Sequence, residues 1–229
     1  MKPELMDAFH SITLFQGISS EALDRLAAMS FLQDFPADVV LAEQSEVPDF
    51  LYGVVTGSVA ATANYRSGSD TTCVTMAGDC ISTSAVVLDM PLLSSLRTVD
   101  ASRVLLIPAS LVRELIASDL VFAGAIAQKT ALGARLVVRE LHNQKLRTST
   151  ERLANWVLRM ADEASDEQEL PLPYQKRLLA SLLGMTPENL SRTIAGLEPH
   201  GVVFRGRTIH VRDLSALKRM ACPTPLIDA

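Results

Sequence analysis

Little in this chain is suited to stapling or chelating. Only three cysteines occur, Cys73, Cys80 and Cys222, too few and too scattered for a disulfide framework. Histidine is missing between Val39 and Ile107. A metal-dependent enzyme on a cupin-like barrel needs a His/Glu cluster on neighbouring strands, so this gap argues against one, and no catalytic residue or metal site is assigned. The start, MKPELMDAFHS, lacks the basic-then-apolar profile of a signal peptide. No stretch reads as apolar long enough to span a bilayer. The expected compartment is the cytoplasm, with no membrane partner. No internal repeat or low-complexity segment is visible. What is present suits a globular protein: hydrophobic residues make up 48% of the 229, enough for a real core.

Net charge is −5, which by itself argues against a polyanionic partner. The average conceals an asymmetry. Residues 1–120 hold 6 Lys+Arg against 15 Asp+Glu, a balance of −9, whereas residues 170–221 hold 8 against 3, a balance of +5. An acidic front and a basic back point to two modules, only the second of which faces phosphates.

Residues 19–30 read as a short amphipathic helix, with Ser19 or Ser20 as cap and Leu23, Leu26 and Ala27 on one face. From Val39 to Ile107 short β-branched runs alternate with turn signals, which predicts an antiparallel barrel or sandwich with tight turns at Gly57, Gly68 and Gly78. After Pro108 the pattern is helical. ASLVRELIASD forms one short helix and residues 120–146 a long one. Ala123, Ala127, Thr130, Ala134, Val137, Leu141 and Gln144 alternate steps of four and three, the spacing of a coiled-coil seam built from mostly small residues. That seam serves a dimer, or packs on its own barrel. TSTERLANWVLRMADEA is a further helix with Trp156 as core anchor, and SDEQEL a polar loop.

Residues 173–212 carry the chemistry. Gln175 to Leu183 form a helix with Leu178, Leu179, Leu182 and Leu183 inward. Gly184 supplies the freedom of a sharp turn, which Met185 plugs. Thr186 is an N-cap and Pro187 sits at N1, where its missing N–H costs nothing. The second helix therefore runs from Pro187 to Leu197, with Leu190, Ile194 and Leu197 inward and Glu188, Asn189, Ser191, Arg192 and Ala195 outward. Arg192 can fork onto guanine O6 and N7, Glu188 can accept from a cytosine amine, and Ser191 can touch a thymine methyl. An ordinary solvated Glu188–Arg192 pair is the alternative. VVFRGRTIHV then forms a basic two-stranded wing. Arg205 and Arg207 at its tip, with Lys176, Arg177, Thr186 and Asn189, are candidates for the nucleic-acid backbone. Strong salt dependence separates DNA binding from the alternative, a module that binds protein.

At this point the sequence resembles the CRP/FNR family of bacterial transcription regulators, over nearly its whole length. LFQGISSEALDRLA, DFLYGVVTGSVAATA and the AGD turn are similar to the family's amino-terminal half. GMTPENLSRTIAGLEPHGV is the most specific string, and its Glu188-x-x-Ser191-Arg192 matches the FNR-type reading motif. The resemblance implies an α+β architecture in three parts. These are a cyclic-nucleotide-binding-like β-roll (1–118), a dimerisation helix (119–147) and a winged helix-turn-helix (148–229). It further implies a homodimer that regulates transcription with RNA polymerase, base reading by Glu188, Ser191 and Arg192, and a TTGAT-like inverted repeat. The subgroup it looks closest to regulates nitrogen-oxide respiration and nitrogen fixation.

The departures are equally informative. Where cyclic-nucleotide-binding members place Gly-Glu and Arg-Ser, this chain reads Ser82-Thr83-Ser84 and Leu92-Leu93-Ser94. Cyclic AMP would then lack its charge-assisted bonds. No cysteine precedes Cys73, so an amino-terminal iron–sulfur cluster is not expected. A haem-based nitric oxide sensor is the alternative within the family, with His10 or Cys80 as axial ligand. His142 reads as a surface residue, and His200 and His210 as turn and strand residues. Cys80 otherwise reads as a small core residue, and Cys222 as part of a mobile tail.

Overall fold

A computed structural model describes residues 3–64, 70–163 and 169–228. The chain forms two compact units, 1–133 and 134–229, whose boundary falls inside one long helix.

The first unit begins with α1 (Pro3–Ser11), a 3-10 turn at Thr13–Phe15, and α2 (Ser20–Met29). Ser19 is the N-cap of α2, its hydroxyl oxygen accepting from the Ala22 amide at 3.1 Å. Leu26 and Ala27 are buried, as the helical spacing requires. The strands are β1 (Phe31–Phe35), β2 (Val40–Ala42), β3 (Phe50–Thr56), β4 (Ser58–Asn64), β5 (Asp70–Met76) and β6 (Asp79–Ile81), then α3 (Thr83–Leu88), β7 (Ser95–Thr98) and β8 (Ser102–Pro108). They build two four-stranded sheets, β1-β8-β3-β6 and β2-β7-β4-β5, with every pairing antiparallel. Alternation in β3 and β8 sends Tyr52, Val54 and Val104 into a cluster with Val59, Ala85, Leu92 and Leu96. Leu51, Leu105 and Ile107 enter a second cluster with α1, α2 and α4 (Ala109–Ser118). Phe9 and Phe15 pack edge to face there, ring centres 5.0 Å apart. Gly57 and Gly78 take positive φ at their turns, while Gly68 lies outside the described residues.

Helix α5 (Leu120–Leu146) runs unbroken for 27 residues. It corrects the expectation that no segment could span a bilayer: its length suffices and an 18-residue window has mean hydropathy 1.3. Gln128, Lys129 and Arg135 interrupt the run without lowering the window average enough. The start of α5 is anchored in the first unit's core through Phe122 and Ile126, and Lys129 pairs with Asp79. Yet only 11% of the apolar window is buried, so most of that face has nothing on it.

The second unit holds the rest of α5, then α6 (Ser149–Glu163), β9 (Glu169–Pro171), α7 (Lys176–Leu182) and α8 (Pro187–Leu197). After a 3-10 turn at Glu198–His200 come β10 (Val202–Arg205), β11 (Thr208–Val211), α9 (Leu214–Ala221) and α10 (Pro225–Asp228). Three expectations need correcting. Trp156 packs only at the edge of the core, and the fully buried residues of α6 are Leu153, Ala154 and Val157, because the helix turns its small and aliphatic stripe inward. The wing has three strands, in the order β10-β11-β9: Glu169 and Leu170, assigned to the loop, pair with His210 and Ile209. Residues after Cys222 are not a loose tail, since Cys222 caps α9 and the chain folds back into α10.

Candidate nucleic-acid interface

The two helices of the basic module form where local chemistry dictates. Gln175 caps α7, and Leu179, Ala180 and Leu183 are buried, while Leu178 and Leu182 are only half-buried. Ala180 is thus part of the stripe that the leucine pattern missed. Gly184 adopts φ +60 and Met185 is buried beneath the turn. The Thr186 hydroxyl accepts from the Asn189 amide at 3.2 Å, and Pro187 follows as the first helical residue. Leu190, Thr193 and Leu197 are buried, with Ile194 packed beside them.

Glu188, Ser191, Arg192 and Ala195 are exposed on one side of α8. Arg192 makes no hydrogen bond or ion pair with any other described residue, so its fork of donors is open. The solvated-pair alternative has no ion pair behind it, although the Arg192 charge does act on Glu188. The Glu188 carboxyl is held below its ordinary range by its own backbone amide, then by the Thr186 hydroxyl, then by Arg192. It therefore stands ionised as an acceptor. Ser191 donates to the Pro187 carbonyl at 2.9 Å, which leaves its oxygen lone pairs free. Asn189 behaves differently from its helical neighbours. It is half-buried and its amide donates to Ser149 of α6 at 3.0 Å, tying α8 to the helix beneath it.

The wing tip carries Arg205 and Arg207 on either side of Gly206, which has φ +59. Arg205 is exposed and has no ion pair among the described residues, and Arg207 donates to the Leu172 carbonyl at 3.5 Å. Lys176 and Arg177 are exposed at the start of α7. His210 lies in β11 and pairs with Glu169 at 3.2 Å.

One residue that periodicity did not single out organises this module. Arg152 of α6 is buried, and among the described residues no ion pair joins it to a carboxylate. It donates to the carbonyls of Leu183 at 2.9 Å and Arg147 at 2.8 Å, and more distantly to those of Gln144 and Gly184. The guanidinium thus gathers carbonyls from the end of α5 and from the helix-turn-helix turn at once. The signal in the sequence was a lone Arg inside the apolar stripe of an amphipathic helix.

Residues 151–220 match the Crp-like helix-turn-helix domain and residues 32–119 the cyclic nucleotide-binding domain. The chain is a CRP/FNR-family DNA-binding transcription regulator. It is not an enzyme. Solved structures with the same fold include FixK2 from Bradyrhizobium japonicum (TM-score 0.73, 21% identity, 86% of this chain and 99% of that one). A CRP/FNR-family regulator structure from Eubacterium rectale gives TM-score 0.77 at 14% identity, covering 93% and 100%. CLP from Xanthomonas campestris, a c-di-GMP responsive regulator, gives 0.70 at 20%, covering 85% and 100%. No curated protein matches the sequence.

The buried polar residues described in the first unit are all hydroxyl-bearing: Ser30, Ser58, Thr72, Thr98 and Ser102. A phosphate taken inside would find no buried cation. Leu92 fills the core where the family's Arg-Ser pair would stand, and Leu93 is exposed. The Thr83 hydroxyl is the one buried side-chain polar atom without a partner among the described residues. His10 is exposed, and Cys80 lies in the core with its thiol pushed far up by burial.

Proposed function

We propose that this regulator acts in the cytoplasm as a homodimer that reads an inverted repeat with TTGAT-like half-sites and meets RNA polymerase there. In this reading residues 1–118 are the sensor, 119–147 the dimerisation helix and 148–229 the DNA-binding domain. Glu188, Ser191 and Arg192 read bases, and Lys176, Arg177, Thr186, Arg205 and Arg207 meet phosphates. Asn189 holds α8 on α6 more than it faces DNA. The observation that carries the reading is Arg192: an exposed guanidinium with no hydrogen bond or ion pair among the described residues, one turn from an ionised Glu188 on a capped helix. Dimerisation is supported by the bare seam of α5, where Ala127, Thr130, Ala134, Val137 and Leu141 are exposed. Ala123 and Gln144 at its ends are half-buried.

The test is binding of the reduced, ligand-free protein to a TTGAT-type inverted repeat against a scrambled duplex. Arg192→Ala is expected to lose about 1–3 kcal/mol of specific binding and to relax the preference at one base pair. A variant that binds and discriminates like its parent would remove Arg192 from the reading set. Millimolar cyclic AMP is expected to leave both the affinity and the Tm unchanged, because the described residues of the roll offer no buried cation to its phosphate.

A further inference from the structure

The last residues of the chain bear on the junction between α5 and α6, and no reading of the family motif assigns them a role. Arg147, in the short link after α5, is buried, with its side chain 5% exposed. Its guanidinium meets Asp228 bidentately, Nη1 donating to Oδ1 at 2.8 Å and Nη2 to Oδ2 at 2.5 Å. Asp228 is itself held: its carboxylate accepts from the Thr224 amide at 2.8 Å, and its own amide donates to the Thr224 carbonyl at 2.9 Å. The Arg139 Nε of α5 donates to the Ile227 carbonyl at 3.0 Å, and the Ile227 side chain is buried. On the other side of the link, the Asn155 amide of α6 donates to the Ala221 carbonyl at 2.5 Å. The Arg147 carbonyl meanwhile accepts from Arg152, whose guanidinium also grips the turn before α8.

We propose that residues 223–228 are a clasp: through Asp228 and Arg147 they lock the α5–α6 junction and so position the reading helix for sequence-specific DNA. A buried bidentate pair is suited to this because its two parallel bonds fix an orientation as well as a distance. Removing one partner leaves a charge buried without compensation, so the link must open to hydrate it. Arg147 and Asp228 are positioning residues, and neither touches DNA. The affinity part of the proposal rests on the dimer reading given above, because two half-sites are matched only if each junction holds its helix in one orientation.

The experiment compares full-length protein with Asp228→Asn and Arg147→Lys, using amide hydrogen exchange and DNA binding. In Asp228→Asn the amides of Leu146 to Ser149 are expected to exchange about a hundredfold faster, while those of β10 and β11 keep their protection. Specific affinity is expected to fall roughly tenfold, with affinity for the scrambled duplex unchanged. Arg147→Lys keeps the charge but loses the fork, and is expected to lie between; it serves as the readout if Asp228→Asn does not fold. Junction amides that exchange as in the parent would overturn the clasp. Loss of specific and scrambled binding together, with loss of wing protection, would overturn positioning in favour of plain stability. A parent that fails to discriminate the duplexes would sink the dimer reading, while the exchange result still decides whether the junction is clasped.

Discussion

Single residues settle more in this regulator than their number implies. Arg192 matters because no other described residue hydrogen-bonds it, whereas Arg152 matters because backbone carbonyls from two turns converge on it. The two arginines look alike in composition and differ wholly in exposure. Gly57 shows the same point for backbone. At φ +80, a Cβ there would stand 2.6 Å from the Ala101 carbonyl oxygen and 2.8 Å from Asp100 Oδ1. Gly57→Ala is expected to destabilise the first unit by about 2 kcal/mol, combining left-handed strain with a backbone clash. A urea melt of the variant that matched the parent would show that the turn can relax. Periodicity sets Asn189 wholly outward and leaves Ala180 out of the buried stripe, for one reason. A helical wheel gives the angle of a side chain, and only the neighbouring helix decides whether that angle meets protein or water.

Among the elements, α8 was the most legible and α5 the least. Helix α8 starts where a threonine cap and a proline force it to start, which is local chemistry independent of the rest of the fold. Helix α5 carries an apolar stripe that composition alone allows in a bilayer, in its own core or against a second copy. Phe122 and Ile126 take the core, but Val137 remains 69% exposed and Leu136 59%. A face of that kind in water calls for a partner. Val137→Glu is expected to turn the dimer into a monomer in sedimentation equilibrium, since each copy would set a carboxylate against its symmetry mate. Persistence of the parental mass would move the dimer interface off this seam. Strand β9 escaped notice because three residues ending in proline carry too little alternation to register, and pairing with β11 is a non-local event.

For the whole molecule, an acidic front gives way to a basic back that carries the helix-turn-helix. The cations of the second unit predict a steep salt response, because each phosphate neutralised releases condensed counterions. Arg205→Ala is expected to weaken binding to all sequences alike and to flatten the slope of log K against log salt by about one per protomer. A change in sequence preference instead would place Arg205 among the base readers. The first unit carries the cyclic nucleotide-binding fold, and its described buried polar residues are hydroxyl-bearing.

The β-rich front, the long helix, the capped helix α8 and the exposure of Glu188, Ser191 and Arg192 were determined by the sequence alone, since periodicity, caps and turns act over a few residues. The third strand of the wing, the carbonyl-gathering Arg152 and the return of Asp228 onto Arg147 were decided only by tertiary structure. Arg147 and Asp228 lie 81 positions apart along the chain. No local pattern links them; they meet because the chain folds back through α10 onto the α5–α6 link.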